Sequence, residues 1–183
     1  MIAQVAADAD HPAMEYVLLV DTSDRVTGVR EKMAAHREGL LHRAFSVFVF
    51  TPDGRLLLQQ RAMGKYHSGG LWSNTCCSHP RVGETVEGAA TRRLQEEMGI
   101  TCDVRRAFSF IYRAELGDGL VEHELDHVLI AESGTDPAPD PAEVGGWERV
   151  SLPDLQADVE ARPGRYTIWL GIALEQLRLR GMM

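Results

Sequence analysis

The thirty residues from Leu71 to Ile100, LWSNTCCSHPRVGETVEGAATRRLQEEMGI, constrain the fold more than any other stretch. From Thr85 to Met98 the spacing predicts a helix, with Val86, Ala90, Leu94 and Met98 at every fourth position and Gly99 as its stop. At roughly 100° per residue, Glu97 falls about 40° from the centre of the apolar stripe and Arg93 leans the same way, whereas Arg92 and Glu96 fall on the far side. A carboxylate inside an apolar stripe is costly unless it is paired or binds a cation, so Glu97 calls for a partner. Just upstream, Cys77 and His79 stand two apart in a segment bounded by Asn74 and Pro80. That segment is too irregular for a helix and is expected to be a loop from which both side chains can face one site.

With 183 residues, 44% of them apolar, the chain suits one domain that needs no disulfides to fold. The expected division is a poorly ordered tail over residues 1–13 and a single domain over residues 14–183. Three cysteines without CxxC spacing fit a reduced, cytoplasmic protein. The acidic N-terminus has neither a basic region nor an apolar core of the signal-peptide kind, and no run of about 18 apolar residues occurs. A net charge of −8 argues against a broad nucleic-acid surface, so an anionic substrate needs a local basic pocket.

Taken in order, Glu15–Val20 reads as a buried strand, Gly28 as a turn, and Arg30–His42 as a stretch of uncertain regularity that carries Lys32, His36 and His42. Each of these histidines, alone, is an ordinary surface or capping residue. Ala44–Phe50 and Arg55–Arg61 around Thr51-Pro52-Asp53-Gly54 form the clearest hairpin. It delivers Arg61 and then Lys65 beyond a strand end, either as solvated charges or as cations that grip phosphate. Ala107–Tyr112 and Leu120–Ala131 flank a second turn at Gly117-Asp118-Gly119. Period-two geometry puts Glu122, Glu124 and Asp126 on one face and His123 and His127 on the other; taken alone, an acidic row of this kind faces solvent. Ser133–Glu143 is a surface loop, Trp147–Val150 a strand, and a short helix follows Pro153. Thr167–Leu179 is a helix packed on the sheet, with Trp169 at its start.

Glu84, Arg92, Glu96, Glu97 and Gly99 resemble the Nudix signature, with Ser78 where that signature has its leading Gly and Arg93 where it has a Glu. KMAAH at Lys32–His36, LLH at Leu40–His42, WSNTCCSHP at Trp72–Pro80 and YR…VEHE between Tyr112 and Glu124 narrow the resemblance to type I isopentenyl-diphosphate isomerases. It runs from about Glu15 to the C-terminus. The fold implied is α+β: a Nudix-like α/β/α sandwich with a mixed central sheet and a loop-helix-loop active-site motif.

The resemblance implies one divalent metal held by His36, His42, His79, Glu122 and Glu124. The ion would be Mn²⁺, Zn²⁺ or Mg²⁺; three imidazoles suit Zn²⁺, Mn²⁺ or Fe²⁺ better than an oxygen-seeking ion. It implies Cys77 and Glu124 as the acid and base that shift a double bond from isopentenyl to dimethylallyl diphosphate, with Tyr112 assisting the carboxyl. Trp169 would cover the isoprenoid carbons, where a π face offsets a developing cation by roughly 0.5 to 2 kcal/mol. Lys32, Arg61, Lys65 and Arg93 would bind the diphosphate together with a Mg²⁺ that bridges it to Glu97. The partner implied is a small isoprenoid diphosphate, with no nucleic acid, no membrane and no second subunit. The alternatives are a Nudix-type diphosphohydrolase, disfavoured by Arg93 where a metal-binding carboxylate would stand, and a non-enzymatic module in which three histidines staple the fold around zinc.

Overall fold

Alternation in the central strand builds two cores at once. The computed structural model describes residues 15–182; the tail expected over residues 1–13 lies outside them. The strands are β1 (Tyr16–Val20), β2 (Val26–Glu31), β3 (His42–Phe50), β4 (Leu56–Arg61), β5 (Trp72–Ser73), β6 (Cys76–Ser78), β7 (Arg105–Gly117), β8 (Leu120–Glu132) and β9 (Val144–Val150). The helices are α1 (Lys32–Glu38), α2 (Val86–Met98), α3 (Leu152–Ala161) and α4 (Ile168–Leu179). Phe45, Val47 and Val49 of β3 pack with Leu57, Leu129 and the apolar stripe of α2, while Phe48 packs with Leu56, Leu58, Val128 and the residues of α3 and α4. The result is a mixed sheet between helices, the α+β sandwich expected from the sequence.

Helix α2 begins and ends where the sequence places it. Thr85 caps it, its hydroxyl accepting from the Gly88 amide, and Gly99 closes it in the left-handed region at φ 67°. The side chain of Glu31 accepts from the amides of Met33 and Ala34, and Gly39 at φ 61° ends α1, so the stretch of uncertain regularity is a helix. Gly28 is not a turn: it lies within β2, paired with Leu19. Pro153 stands inside the first turn of α3 rather than before it, a position where its missing N–H costs nothing.

Two departures matter for the site. The expected β3–β4 hairpin pairs only at Phe50↔Leu56 and then splits. β6 takes the freed edge of β3, through Phe45↔Ser78, Ser46↔Cys77 and Val47↔Cys76, while β5 and β9 take β4. The segment expected to be a loop at Cys77 is therefore a strand. Being on a strand, the vicinal cysteines face opposite ways: Cys76 joins the α2 core, and Cys77 packs beside Tyr112 and Trp169. On its other side β3 runs parallel to β8 from His42↔Glu124 to Phe50↔Glu132.

Candidate active site and metal centre

The split between β3 and β4 opens a cavity of about 230 Å³, lined in part by Lys32, Arg61, Lys65, Cys77, His79, Arg93, Glu97, Tyr112, Glu122, Glu124 and Trp169. Every residue the sequence singles out for substrate or catalysis reaches this one space.

His36, His42, His79 and Glu124 place one ligand atom each within 4.8 Å of one another. Glu122 sits at the edge of that group, its Oε2 3.3 Å from His36 Nε2. The imidazole tautomers are set from behind. Nδ1 of His36 lies 2.7 Å from the Lys32 carbonyl and Nδ1 of His42 lies 2.8 Å from the Leu40 carbonyl. Each Nδ1 therefore donates its proton to backbone, leaving the Nε2 lone pairs aimed inward. Those lone pairs crowd: His42 Nε2 is 3.2 Å from His79 Nε2, which is 3.0 Å from Glu124 Oε1. His36 Nε2 and Glu122 Oε2 are buried with no hydrogen bond at all. Acceptors aimed at one point fit a divalent cation, and this donor set is rich enough in nitrogen for Zn²⁺ or Mn²⁺.

Electrostatics around the cluster divide the groups into protonated and ionised. Burial pushes the Cys77 thiol up to about 12, so it stays protonated at neutral pH. Burial also opposes ionisation of Glu124, yet the neighbouring His42 imidazole and the hydrogen bond from Tyr112 outweigh it and hold the carboxyl below its ordinary range. Burial and the neighbouring His42 and Lys32 push His79 well below its ordinary value. At His36 burial acts in the same direction but loses to the Glu122 carboxylate, and the value rises. Asp126, behind Glu124 on the same face, is pushed well up by burial and by Glu124, and accepts from Ser46 Oγ at 2.9 Å. The acidic row does not face solvent, as it would if taken alone: Glu122, Glu124 and Asp126 are 4%, 8% and 1% exposed.

At the other end of the cavity Glu97 is 5% exposed, as its position in the helical stripe requires. Its partners here are a guanidinium cation and a side-chain amide. Arg93 donates to Oε1 at 2.8 and 3.1 Å, and Gln59 donates to Oε2 at 2.9 Å. Glu96 lies on the exposed side, tied to Arg92 and Arg93. Lys32 pairs with Glu15 at 2.7 Å, Lys65 pairs with Glu143, and Glu143 also reaches Arg93 at 3.1 Å. Arg61 stacks over Trp169 at 5.3 Å, its Nε buried without a partner.

Gln59, His67 and Glu143 also line this cavity, and nothing in the sequence marks His67 or Glu143. His67 sits 3.7 Å from Glu122 Oε1 and edge-on to Trp169, and burial with the nearby Arg61 charge pushes it down to about 3. It comes from a glycine-rich loop with no periodicity to follow. Gln59 differs, because its α2-facing position was readable once β4 was assigned.

The NUDIX domain family matches residues 40–170. Isopentenyl-diphosphate Delta-isomerase 2 of Aromatoleum aromaticum is 52% identical over 163 residues, covering 89% of this chain and 86% of that protein. Isopentenyl-diphosphate Delta-isomerase of Burkholderia multivorans is 50% identical over 165 residues, covering 90% and 94%, and that of Serratia proteamaculans is 44% identical over 163 residues, covering 89% and 91%. Among solved structures, a Deinococcus radiodurans protein superposes with TM-score 0.74 at 21% identity, over 88% of this chain and 98% of that one. A Nudix hydrolase from M. smegmatis gives 0.57 at 18% identity, over 93% and 96%; these two share the fold. Identity at this level over most of the length, on a Nudix domain, shows that the chain belongs to the Nudix family and, within it, to the isopentenyl-diphosphate Delta-isomerases.

Proposed function

We propose that the protein converts isopentenyl diphosphate to dimethylallyl diphosphate by adding a proton to the terminal alkene carbon and removing one from C2, through a tertiary carbocation. The observation that carries this reading is the pairing of a half-buried, protonated Cys77 with an ionised, Tyr112-bonded Glu124 in one cavity. Two titratable groups pushed apart in this way are what an acid and a base require. In the forward direction Cys77 gives its proton and Glu124 takes one; the roles exchange in reverse. Trp169, 5% exposed, would lend its π face to the cation.

His36, His42, His79, Glu122 and Glu124 would hold one divalent ion, Mn²⁺, Zn²⁺ or Mg²⁺. Bound there, it would supply positive charge that fixes the Glu124 carboxylate and relieves the crowding of nitrogen lone pairs. Lys32, Arg61, Lys65 and Arg93 would grip the diphosphate. Glu97 would be the residue to hold a Mg²⁺ that accompanies the substrate, where the ion would neutralise phosphate charge. Arg93 and the outward Glu96 leave no cluster of inward carboxylates on α2, which disfavours hydrolysis.

Three free cysteines fit a reducing cytoplasm, and no helix among the described residues is long and apolar enough to cross a membrane.

Incubation with isopentenyl diphosphate and Mg²⁺ in deuterated water should place deuterium in dimethylallyl diphosphate. Phosphate release without isomer would overturn this reading.

A further inference from the structure

Around Cys77 lies a closed polar set to which the proposed function gives no task. Ser73 and Asn74 are both fully buried. Ser73 Oγ accepts from Trp169 Nε1 at 2.9 Å and from Thr167 Oγ1 at 3.1 Å, which occupies both of its lone pairs. Only its own proton remains to be placed, and two acceptors lie in reach: Asn74 Oδ1 at 3.1 Å and Cys77 Sγ at 3.6 Å. The amide group of Asn74 is fixed by the carbonyls of Val47 and Cys76, so its Oδ1 cannot turn away, and that oxygen also accepts the thiol of Cys77 at 3.1 Å. The single N–H of Trp169 is shared between Ser73 Oγ and Cys77 Sγ, the latter at 3.2 Å.

We propose that Ser73 is a positioning residue whose hydroxyl swings from Asn74 Oδ1 to Cys77 Sγ as that sulfur gives up its proton, so that Ser73 and the Trp169 N–H together hold the sulfur anion. This rests on the isomerase reading above. In the step itself the alkene π pair forms the new C–H bond with the thiol proton, the S–H pair stays on sulfur, and the positive charge appears at the tertiary carbon. Ser73 keeps its own proton and only exchanges acceptors. Thr167 matters because its donation to Ser73 Oγ leaves that hydroxyl nothing to do but donate. The set is buried and fixed before reaction, the condition under which a donor aimed at developing charge acts most strongly.

The test uses the full-length, metal-loaded enzyme. Ser73→Ala should lower kcat by about 10- to 100-fold, below the loss seen at oxyanion donors because sulfur is a softer acceptor, while KM for isopentenyl diphosphate stays within about twofold. Proton transfer from sulfur then becomes more limiting, so the solvent deuterium isotope effect on kcat should rise and the effect of deuterium at C2 should shrink. Thr167→Val, which does not touch sulfur, should give a smaller loss with the same isotope signature, and Thr167→Ser should restore the wild-type values. If Ser73→Ala does not fold, the Thr167 pair decides. An unchanged kcat overturns the proposal, as does a loss carried by KM or one that leaves both isotope effects at wild-type values. Wild-type enzyme that forms no dimethylallyl product, or a Cys77→Ala enzyme with full activity, would instead overturn the reading on which this one stands.

Discussion

Tyr112 and Glu124 face each other directly across β7 and β8, and the phenol donates a 2.7 Å hydrogen bond to Oε2 of the carboxylate. Glu124 Oε1 is left for His79 and the histidine cluster, so on the proposed reading one side chain would divide its two oxygens between proton transfer and metal. Tyr112→Phe should keep the fold and the metal. It should lower kcat by about 10- to 100-fold through loss of one buried donor to a charged group, which steady-state isomerisation kinetics beside a thermal melt will check.

Removal of the metal should be costly in both stability and activity, because the cluster leaves inward lone pairs and the unbonded His36 and Glu122 atoms without a cation. A resident ion present at about 100 times its dissociation constant contributes about 2.7 kcal/mol. Dialysis against a chelator should therefore lower Tm by roughly 5 to 10 °C for a chain of this size and abolish turnover. Readdition of Mn²⁺ or Zn²⁺ should restore both, and elemental analysis should find one tightly held ion per chain.

Arg93 is shared by Glu97 and Glu143 on one side and the cavity on the other. Arg93→Lys keeps the charge but loses the planar fork, so KM for the substrate should rise about tenfold with a smaller change in kcat. A fall in kcat at unchanged KM would show that Arg93 does not bind the diphosphate.

Glu143 supplies a pH test. Burial tends to raise its carboxyl, but hydrogen bonding from Lys65 and the charge of Arg93 outweigh this and lower it. A carboxyl depressed in the folded state contributes stability above its unfolded value of about 4.3, and loses it as pH falls through the folded value. Glu143→Gln should accordingly melt below the wild type at pH 7, with the gap closing as pH drops below about 4. A gap that is the same at every pH would contradict this.

Leu94 is fully buried in the core between α2 and the sheet. Leu94→Ala should cost about 2 to 5 kcal/mol in chemical denaturation, and Thr85→Ala, which removes only the cap of the same helix, about 1 kcal/mol.

Much of the fold was legible because its signals are local. Thr85 and Gly99 bracket α2, aromatic and β-branched residues mark β3, a period of two marks β8, and the 3.6-residue period buries Glu97. Other elements escaped for identifiable reasons. Three residues, Cys76–Ser78, are too few to show a period, and their pairing with β3 exists only because the β3–β4 hairpin splits. Gly28 resembles a turn in sequence but is carried inside an edge strand by its partner Leu19. His67 and Glu143 enter the cavity from loops, and Gln59 enters it from strand β4.

The sequence by itself determined the faces of Glu97, by its helical period, and of Glu122 and Glu124, by their strand period, while the family resemblance nominated Cys77 and His79. Only the tertiary structure decided that they meet. The parallel register of β3 on β8 sets His42 beside Glu124, and β6 sets Cys77 beside Ser46. That register is a long-range choice. It depends on burying Phe45 and Val47 on one face and Phe48 on the other, and a slip of one residue would turn the polar cluster into the α2 core.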